Sequence, residues 1–418
     1  MDAMSGTYRI AFLGCKANQC DADAHARALE SAGLRRAQDG KSADVCLVQT
    51  CAVTATAAAK SRQALRRLAA RNPGARLVAA GCLVDAGDDT CGALAIPNAA
   101  RGTLLERLGL RENGPPAGTG LFAGRGRAFL KVEDGCDARC AYCIVPHLRG
   151  PVASLPPARV REESARLARE GFGEIVLTGV HLGAYGRDRE NAFELADAVE
   201  AALEGAPDAR VRVSSVEPGE VTECVAGLVT SHPRVCPHLA LPLQSGSSRV
   251  LARMRRRYTA GDFLAEVARL RARAPELALT TDVLVGFPGE TEEDFAETLR
   301  VVREVAFSRV HAFPFSPRPG TEAFDARPRV PERVAGERRR RVAEEGARLA
   351  AEYARRFVGR EVEVVVERSD GASGLGRSEH YLVTHLAGRV PPPGTRLAVR
   401  VARAELDALV AEPLETDA

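Results

Sequence analysis

The alternation of apolar and polar positions divides the chain into three stretches. In the first, short apolar runs of strand length are separated by segments with helical periodicity. Strands and helices are predicted in strict alternation over Tyr8–Leu13, Asp21–Ala32, Asp44–Val48, Thr54–Ala70 and Arg76–Ala80. This β-α-β-α-β order predicts a small parallel sheet flanked by helices. The Pro- and Gly-rich segment Asn113–Gly120 then predicts a linker.

The second stretch restarts the alternation with longer units. Six strands are predicted, over Ala128–Val132, Glu174–Thr178, Arg210–Ser214, His238–Leu243, Leu279–Val285 and Arg309–Phe315. Helical patterns lie between them, among them Pro157–Glu170, Phe193–Leu203 and Glu292–Ala306. Because a closed eightfold barrel needs about 250 residues, this shorter stretch predicts an open, partial (β/α)6 barrel.

The third stretch changes character again. A long charged helix is predicted over Pro331–Phe357, followed by strands over Gly359–Glu367, Glu379–Leu386 and Thr395–Arg403 that Gly and Pro turns separate. This pattern predicts a small all-β module at the end of an otherwise α/β chain. The predicted domains are therefore 1–112, 122–356 and 357–418.

Composition narrows the class of protein. The 418 residues are 45% hydrophobic and 27% charged, which is typical of globular domains. No apolar run approaches the ~20 residues that span a bilayer, and Ile10–Leu13 is too short for a signal peptide, so we expect a cytoplasmic protein without a membrane partner. The net charge of +3 excludes a globally cationic coat for nucleic acid. The absence of Trp argues against base stacking as the main mode of RNA recognition.

The 11 cysteines carry the chemistry. In a reducing cytoplasm an odd number of thiols indicates metal binding rather than disulfides. Cys136, Cys140 and Cys143 form a CxxxCxxC motif just after the first barrel strand, at the end of the barrel where such enzymes place their sites. Three thiolates can hold three irons of a cubane cluster and leave the fourth iron open. The alternative is a zinc site, which needs a fourth ligand; His147 is the nearby histidine.

Three further cysteines share a structural position in the first stretch. Cys15, Cys51 and Cys82 each follow one of its predicted strands. Because the carboxyl ends of parallel strands meet at one edge of a sheet, we expect these thiols to converge into a second three-cysteine site. Cys20 is the alternative ligand, since one helical turn brings it near Cys15. Cys46 lies within a strand and is predicted to be a core residue.

A CxxxCxxC motif with an aromatic residue before its last cysteine, on the first loop of a partial barrel, resembles the radical S-adenosylmethionine superfamily. The resemblance implies a [4Fe-4S] cluster held by Cys136, Cys140 and Cys143. Its open iron would bind the amino and carboxylate groups of S-adenosylmethionine. An electron from a reducing donor would then cleave the cofactor to methionine and a 5′-deoxyadenosyl radical.

Along almost its whole length the chain resembles the methylthiotransferases. The matching segments are GCKANQ, QTCAVT, AAGC, GCDARCAYCIVPHLRGP, LTGVHLGAYG, SSVEP, LPLQSGS, DVLVGFPGET and FPFSPRPGT. SSVEP and LTGVHLG favour the branch that acts on N6-threonylcarbamoyladenosine at tRNA position 37. The resemblance implies a second [4Fe-4S] cluster as the sulfur source or carrier, a second S-adenosylmethionine as methyl donor, and a C-terminal RNA-binding TRAM-like module. The segment GLGRSEHYLV carries the resemblance to that module.

The implied reaction replaces the hydrogen on adenine C2 with a methylthio group. That hydrogen is neither acidic nor hydridic, so no side chain is predicted to act as a general acid or base. Residues at the ends of the second, third and fourth barrel strands are predicted to contact the cofactor, with ordinary strand-end capping as the alternative: Thr178, Gly179, Ser214, Glu217 and Gln244.

Arginines on the barrel loops and helices are the residues expected to bind the substrate. A threonylcarbamoyl group ends in a carboxylate, which bidentate Arg binds well, and Arg149 and Arg318 are the candidates on barrel loops; the alternative is that either arginine holds a loop or a phosphate. Two Arg runs, at 253–257 and 338–341, are predicted to contact tRNA phosphates. The expected protein is a monomer. Alternative functions are methylthiolation of isopentenyladenosine-37 tRNA or of a ribosomal protein, and non-catalytic RNA binding by an iron–sulfur protein.

Overall fold

The computed structural model describes residues 6–115, 120–122, 124–190 and 192–414. Its first part is a parallel sheet of five strands in the order β2-β1-β3-β4-β5. The strands are β1 (Thr7–Phe12), β2 (Arg35–Arg36), β3 (Val45–Thr50), β4 (Arg76–Gly81) and β5 (Leu94–Ile96). The helices are α1 (Lys16–Ser31), α2 (Ala55–Arg71), α3 (Cys82–Asp85) and α4 (Leu104–Arg107). The predicted parallel sheet is confirmed. Of the predicted linker, residues 116–119 lie outside the described part.

Helix α1 begins five residues before the predicted start at Asp21. Cys15 is its extended N-cap residue, so Lys16 to Cys20 are helical. This first turn was not predicted because Asn18 is a polar residue at a completely buried position, which does not fit the apolar face expected of a helix. Its side-chain amide donates to the carbonyl oxygens of Leu13 (2.7 Å) and Thr50 (2.8 Å). Asn18 thereby fixes the two strand ends that precede Cys15 and Cys51.

Six parallel strands form the second part, which confirms the predicted partial barrel. They are β6 (Arg127–Lys131), β9 (Glu174–Thr178), β10 (Arg210–Val213), β11 (His238–Ala240), β12 (Ala278–Val285) and β13 (Arg309–Pro314). Two three-stranded sheets, β6-β9-β10 and β11-β12-β13, meet through single bridges such as Ser215–Ala240. β11 is shorter than predicted because Pro242 has no N–H to donate to a ladder.

Helices follow and connect the strands of this barrel. They are α5 (Val145–Arg149), α6 (Pro157–Arg169), α7 (Leu195–Gly205), α8 (Glu223–Ser231), α9 (Ser248–Arg253), α10 (Ala260–Arg273) and α11 (Glu292–Val305). A short antiparallel pair, β7 (Glu133–Asp134) and β8 (Ala153–Ser154), follows β6. Thr291 caps α11 in a capping box with Asp294. None of the helices that the structure describes has the length and apolar character needed to cross a bilayer.

The third part begins with the long helix α12 (Glu332–Arg355), which packs on β13. It continues into a closed barrel of five strands: β14 (Glu361–Ser369), β15 (Ser373–Ser378), β16 (Val383–Ala387), β17 (Arg396–Glu405) and β18 (Ala408–Pro413). The sequence did not predict β15, because its SGLGRS segment lacks strand-forming residues. A Cβ at Gly376 would collide with the Val364 side chain, so the closed barrel requires glycine there.

An ion cluster around Glu174 joins the partial barrel to this module. Glu174 is fully buried and accepts hydrogen bonds from Arg210 Nε (2.8 Å) and Arg212 Nε (2.8 Å). Both guanidinium groups also donate to carbonyl oxygens of the module, at Arg377 (2.7 Å) and Ser378 (2.9 Å). The module therefore closes the barrel at the amino ends of its strands.

Candidate functional site

The loop that carries the CxxxCxxC motif lies at the carboxyl end of the first barrel strand, as predicted. Gly135, which precedes the first cysteine, has φ +86°, and a Cβ there would collide with the Pro151 carbonyl oxygen. The Cys136 N–H donates to the Gly150 carbonyl oxygen (3.1 Å), and the Cys143 N–H donates to the Cys140 carbonyl oxygen (3.0 Å). These two hydrogen bonds fix the conformation of the loop.

The three thiols of this loop lie close enough to influence each other's ionisation. Burial, together with the neighbouring Cys140 and Cys136 sulfurs, raises the pKa of Cys143 to about 12. Arg256 Nη1 lies 3.3 Å from Cys140 Sγ, and His181 Nδ1 lies 3.6 Å from Cys136 Sγ. Three neighbouring thiols, with basic side chains against two of the sulfurs, fit a metal cluster that takes thiolate ligands, because nearby positive charge stabilises thiolates.

His181 is held by acidic groups on two sides. Its Nε2 lies 2.9 Å from Glu220 Oε2, and its Nδ1 lies 3.0 Å from Asp137 Oδ1. Although burial opposes the charge, the hydrogen bonds to Cys136 and Glu220 raise the pKa of His181 to about 10. His147, by contrast, lies exposed on α5, and the described residues whose potential ligand atoms lie within 4.8 Å of one another are Cys136, Asp137 and His181, without His147.

The cysteines of the first sheet also converge, as their shared position at strand ends predicts. Cys15 caps α1, Cys51 follows β3, and Cys82 begins α3. Burial raises the pKa of Cys82 to about 11; Arg149 opposes the rise, and the nearby Cys51 and Cys15 thiols add to it. Gly14 has φ +97°, and a Cβ there would lie 2.9 Å from Cys51 Sγ.

Neighbouring polar groups hold two of these cysteines in place. The Cys51 N–H donates to Ser61 Oγ (3.0 Å), which donates back to the Cys51 carbonyl oxygen (2.9 Å). Asn98 Nδ2 lies 3.8 Å from Cys82 Sγ. Cys20, the alternative ligand, points elsewhere, with its Sγ 3.6 Å from the Phe129 carbonyl oxygen. Cys46 is buried in β3, as predicted for a core residue.

The predicted cofactor contacts lie at the same end of the barrel but are not equivalent. Thr178 ends β9 and is buried; a Cβ at Gly179 would lie 2.6 Å from Glu133 Oε2. Glu217 pairs with Arg256 and lines a cavity of about 260 Å³ together with Cys140, His181 and Arg187.

The other two predicted contacts face different parts of the barrel. Ser214 accepts a hydrogen bond from Lys16 Nζ at 2.9 Å. Gln244 adopts φ +57° and bridges β11 to β12, its backbone pairing with Asp282 and Leu284. This pairing uses only the backbone of Gln244, and the cofactor contact of its side chain stays a prediction.

The two arginines proposed for the substrate carboxylate differ in their environment. Arg149 is buried and already binds two carboxylates, with Nη1 2.8 Å from Asp134 Oδ1 and Nη2 2.9 Å from Asp21 Oδ2. It braces α1 against the barrel and has no free face for a substrate. The Arg318 Nε is buried without a hydrogen-bond partner among the described residues, and its charge acts on Cys51.

The predicted phosphate contacts are partly used within the protein. Arg338 is buried and donates from Nη1 to Glu290 Oε2 (2.8 Å), while Arg256 binds Glu217 as described above. Exposed members of the same runs, such as Arg255 and Arg340, pair with Glu322 and Glu344. Sequence runs of arginine therefore overstate the basic surface.

Three residues near the cysteines were not predicted from the sequence to belong to the site. Lys16, the first residue of α1, extends into the barrel and contacts Ser214. In the sequence, only its position next to Cys15 indicated that it could belong to the site. Arg256 was grouped with a run of arginines expected to contact phosphates, and no motif connected His181 with Cys136. No spacing rule links these side chains to the sulfurs, because the contacts depend on how separate loops pack.

Comparison with known proteins identifies the two cysteine-bearing parts. Residues 130–302 match the Radical SAM superfamily, and residues 7–95 match the Uncharacterized protein family UPF0004. The structure is similar to that of the radical S-adenosylmethionine methyltransferase TsrM from Kitasatospora setae, with a TM-score of 0.53, 17% identity, and coverage of 77% of this chain and 75% of that chain. This similarity supports the fold alone.

Relatives match the chain over almost its full length. The Threonylcarbamoyladenosine tRNA methylthiotransferase MtaB of Chlamydia pneumoniae is 36% identical, covering 98% of each chain, and that of Thermotoga maritima is 36% identical, covering 91% of each. The tRNA-2-methylthio-N(6)-dimethylallyladenosine synthase of Thermobifida fusca is 35% identical over 98% of this chain and 90% of its own length. The radical S-adenosylmethionine match implies that cofactor and a [4Fe-4S] cluster. The chain belongs to the methylthiotransferase family of radical S-adenosylmethionine enzymes.

Proposed function

We propose that this enzyme adds a methylthio group to C2 of N6-threonylcarbamoyladenosine at position 37 of tRNA. The observation that carries the proposal is the presence of two three-cysteine sites at one end of the barrel, each formed by converging thiols. Relatives that carry the name of this activity support the choice of substrate.

Each cysteine site is assigned one cluster. Cys136, Cys140 and Cys143 hold the [4Fe-4S] cluster that binds S-adenosylmethionine, and the N-terminal trio of Cys15, Cys51 and Cys82 holds a second [4Fe-4S] cluster. When bound, these groups supply the radical that removes the C2 hydrogen, the sulfur atom and the methyl group. The assignment divides the chain into domains over 1–112, 122–356 and 357–418.

The protein's own side chains position the reactants. Thr178, Gly179, Ser214, Glu217 and Gln244 line the strand ends where S-adenosylmethionine would lie. Arg256 and His181 place positive charge against the barrel thiolates, which offsets the cost of holding several anions together. Helix α1 packs along β6 at the open side of the barrel, and this contact restricts access of water to the interior.

Substrate and partners follow from the same reaction. We infer that tRNA binds at the cysteine-bearing end of the barrel and along the C-terminal module, because structured RNA is recognised largely through its backbone and shape. The module exposes arginines for this purpose, among them Arg368, Arg389 and Arg403. A low-potential electron donor, a cytoplasmic location shared with tRNA and a monomeric state complete the proposal.

The experiment that tests this function is nucleoside mass spectrometry of tRNA from cells with and without the gene. Loss of 2-methylthio-N6-threonylcarbamoyladenosine, with accumulation of its unthiolated precursor, is the expected result. The relatives named for dimethylallyladenosine are 35–36% identical, so the isopentenyl substrate is the second candidate. Loss of the isopentenyl nucleoside instead would transfer the assignment to that branch. Unchanged profiles of both nucleosides would contradict the function.

A further inference from the structure

The inner face of the last barrel strand carries an aromatic ring that no protein side chain covers fully. Along β13, Val310 and Ala312 pack towards the outer helices; a Cβ built at Gly346 of α12 would lie 2.8 Å from Val310. Side chains alternate along a strand, so His311 and Phe313 face the barrel interior. Phe313 is 49% exposed and is the one aromatic ring among the exposed large hydrophobic residues of the described chain.

Phe313 lies between the two cysteine sites. On one side it pairs in register with Leu284 of β12, and Leu284 packs in the same apolar cluster as Ala141 and Tyr142 of the CxxxCxxC loop. On the other side the chain continues from Phe313 to Ser316, whose Oγ accepts a hydrogen bond from the Ala55 N–H (3.3 Å) at the start of α2. The segment after Phe313 thus contacts the start of α2, four residues beyond Cys51.

The ring is oriented for stacking. His311, two residues earlier on the same face, has its ring 6.5 Å from that of Phe313 and nearly parallel to it, at 24°. Only 5% of the residues are aromatic and none is Trp, so an exposed ring at this position is conspicuous in this chain. An uncovered Phe loses the free energy of burial unless a ligand covers it. Flat purine bases cover such rings well, because every base has a π-face.

We propose that Phe313 is the stacking platform for the target adenine, holding the base between the two cysteine sites. The inference rests on the proposed function, since it takes the base to be nucleotide 37 of a tRNA. Phe313 is a positioning residue in this role: it fixes the plane of the base so that C2 is presented to both sites. Base–aromatic stacking contributes about 1–3 kcal/mol per base, which corresponds to roughly five- to 150-fold in affinity.

The test measures binding of two anticodon stem-loop RNAs to the anaerobically reconstituted full-length enzyme. One RNA carries adenosine at position 37 and the other an abasic nucleotide there. We expect the unmodified enzyme to bind the adenosine RNA at least fivefold more tightly. Phe313→Leu, which keeps apolar bulk without the ring, should reduce this preference to less than twofold, and Phe313→Tyr should preserve it. Iron content equal to that of the unmodified enzyme verifies that each variant is folded.

Leu406→Ala is the matched control, because Leu406 is 84% exposed on the C-terminal module, next to Asp407, which pairs with Arg309 at the amino end of β13, whereas the cysteine sites lie at the carboxyl ends of the barrel strands. It should leave the preference for adenosine unchanged, whatever it does to overall affinity. A Phe313→Leu enzyme that retains the full preference would overturn the inference and leave the proposed function intact. An unmodified enzyme that binds both RNAs equally would also overturn it. Failure to bind either RNA would instead contradict tRNA as the substrate.

Discussion

Lys16 Nζ donates a hydrogen bond to Ser214 Oγ at 2.9 Å, which joins the residue after Cys15 to the end of the third barrel strand. Burial lowers the pKa of Lys16, and Asp282 and His311 lie close enough for its charge to act on their pKa values. The side chain of Lys16, the first residue of α1, is therefore part of the barrel interior. The N-terminal cysteine site is joined to the barrel by this specific contact as well as by general packing.

Replacing Lys16 by Met should separate sulfur insertion from cofactor cleavage. The variant loses the contact to Ser214 but no cysteine, so iron content should stay the same. We expect methylthiolation of tRNA to fall about tenfold, the effect of losing one charge-assisted hydrogen bond, while 5′-deoxyadenosine still forms. Liquid chromatography of both products measures the ratio. Equal losses of both products would show that Lys16 serves the cofactor site instead.

The cysteine assignments predict two separable clusters. Alanine at Cys136, Cys140 and Cys143 should leave about four irons per chain and abolish 5′-deoxyadenosine formation. Alanine at the N-terminal trio, Cys15, Cys51 and Cys82, should also leave about four irons but retain that cleavage without sulfur insertion. Iron and sulfide determinations after anaerobic reconstitution distinguish these states. A Cys20→Ala variant is the control and should keep about eight irons.

Arg149 is expected to stabilise the chain strongly. Its side chain is 2% exposed and binds Asp134 and Asp21, so Arg149→Met leaves buried carboxylates without one of their cations. The expected loss is about 3 kcal/mol of unfolding free energy, measured by urea denaturation of the cluster-free chain. Arg159→Met, at an exposed pair with Glu162, is the control and should cost less than about 1 kcal/mol.

The ion pairs of Arg149 with Asp21 and Asp134 also predict that the free energy of unfolding depends on pH. Burial opposes ionisation, but Lys131 and Arg149 hold the pKa values of Asp21 and Asp134 below their usual range. A carboxylate with a depressed pKa stabilises the fold above its unfolded pKa of about 4, and that contribution is lost as pH falls through the folded value. The deficit of Arg149→Met should therefore stay constant from pH 7 to about pH 4 and shrink as pH falls below about 4, towards the folded pKa values of the two aspartates. A deficit that does not shrink below about pH 4 would exclude an ionic origin.

Arg318 should raise the reduction potential of the N-terminal cluster. Burial raises the pKa of the Cys51 thiol, and the Arg318 cation, which has a buried Nε without a partner among the described residues, opposes that rise. Removing the charge in Arg318→Gln should make the reduction potential of this cluster more negative, because the reduced, more anionic form loses a cation. Redox titration followed by electron paramagnetic resonance, in the variant without barrel cysteines, measures the shift. Arg318→Lys should restore part of it; identical potentials would contradict the role.

The sequence predicted what depends on strand order and missed what depends on packing between parts. Cys15, Cys51 and Cys82 could be grouped because parallel strands end at one edge. Lys16 and Arg256 could not, because their contacts join segments that are remote in the sequence. The same reason explains Arg149: its loop position suggested a ligand contact, whereas the fold places two aspartates against it.

The Glu174 ion cluster has a consequence for how a nucleotide is chosen. Because Arg210 and Arg212 each bind both Glu174 and carbonyl oxygens of the C-terminal module, the module is locked to the barrel at a fixed distance and orientation. An RNA bound to the module would then lie at a constant distance from the opposite end of the barrel. The nucleotide that reaches the opposite end of the barrel would be selected by its distance from the bound backbone, before any contact with its base.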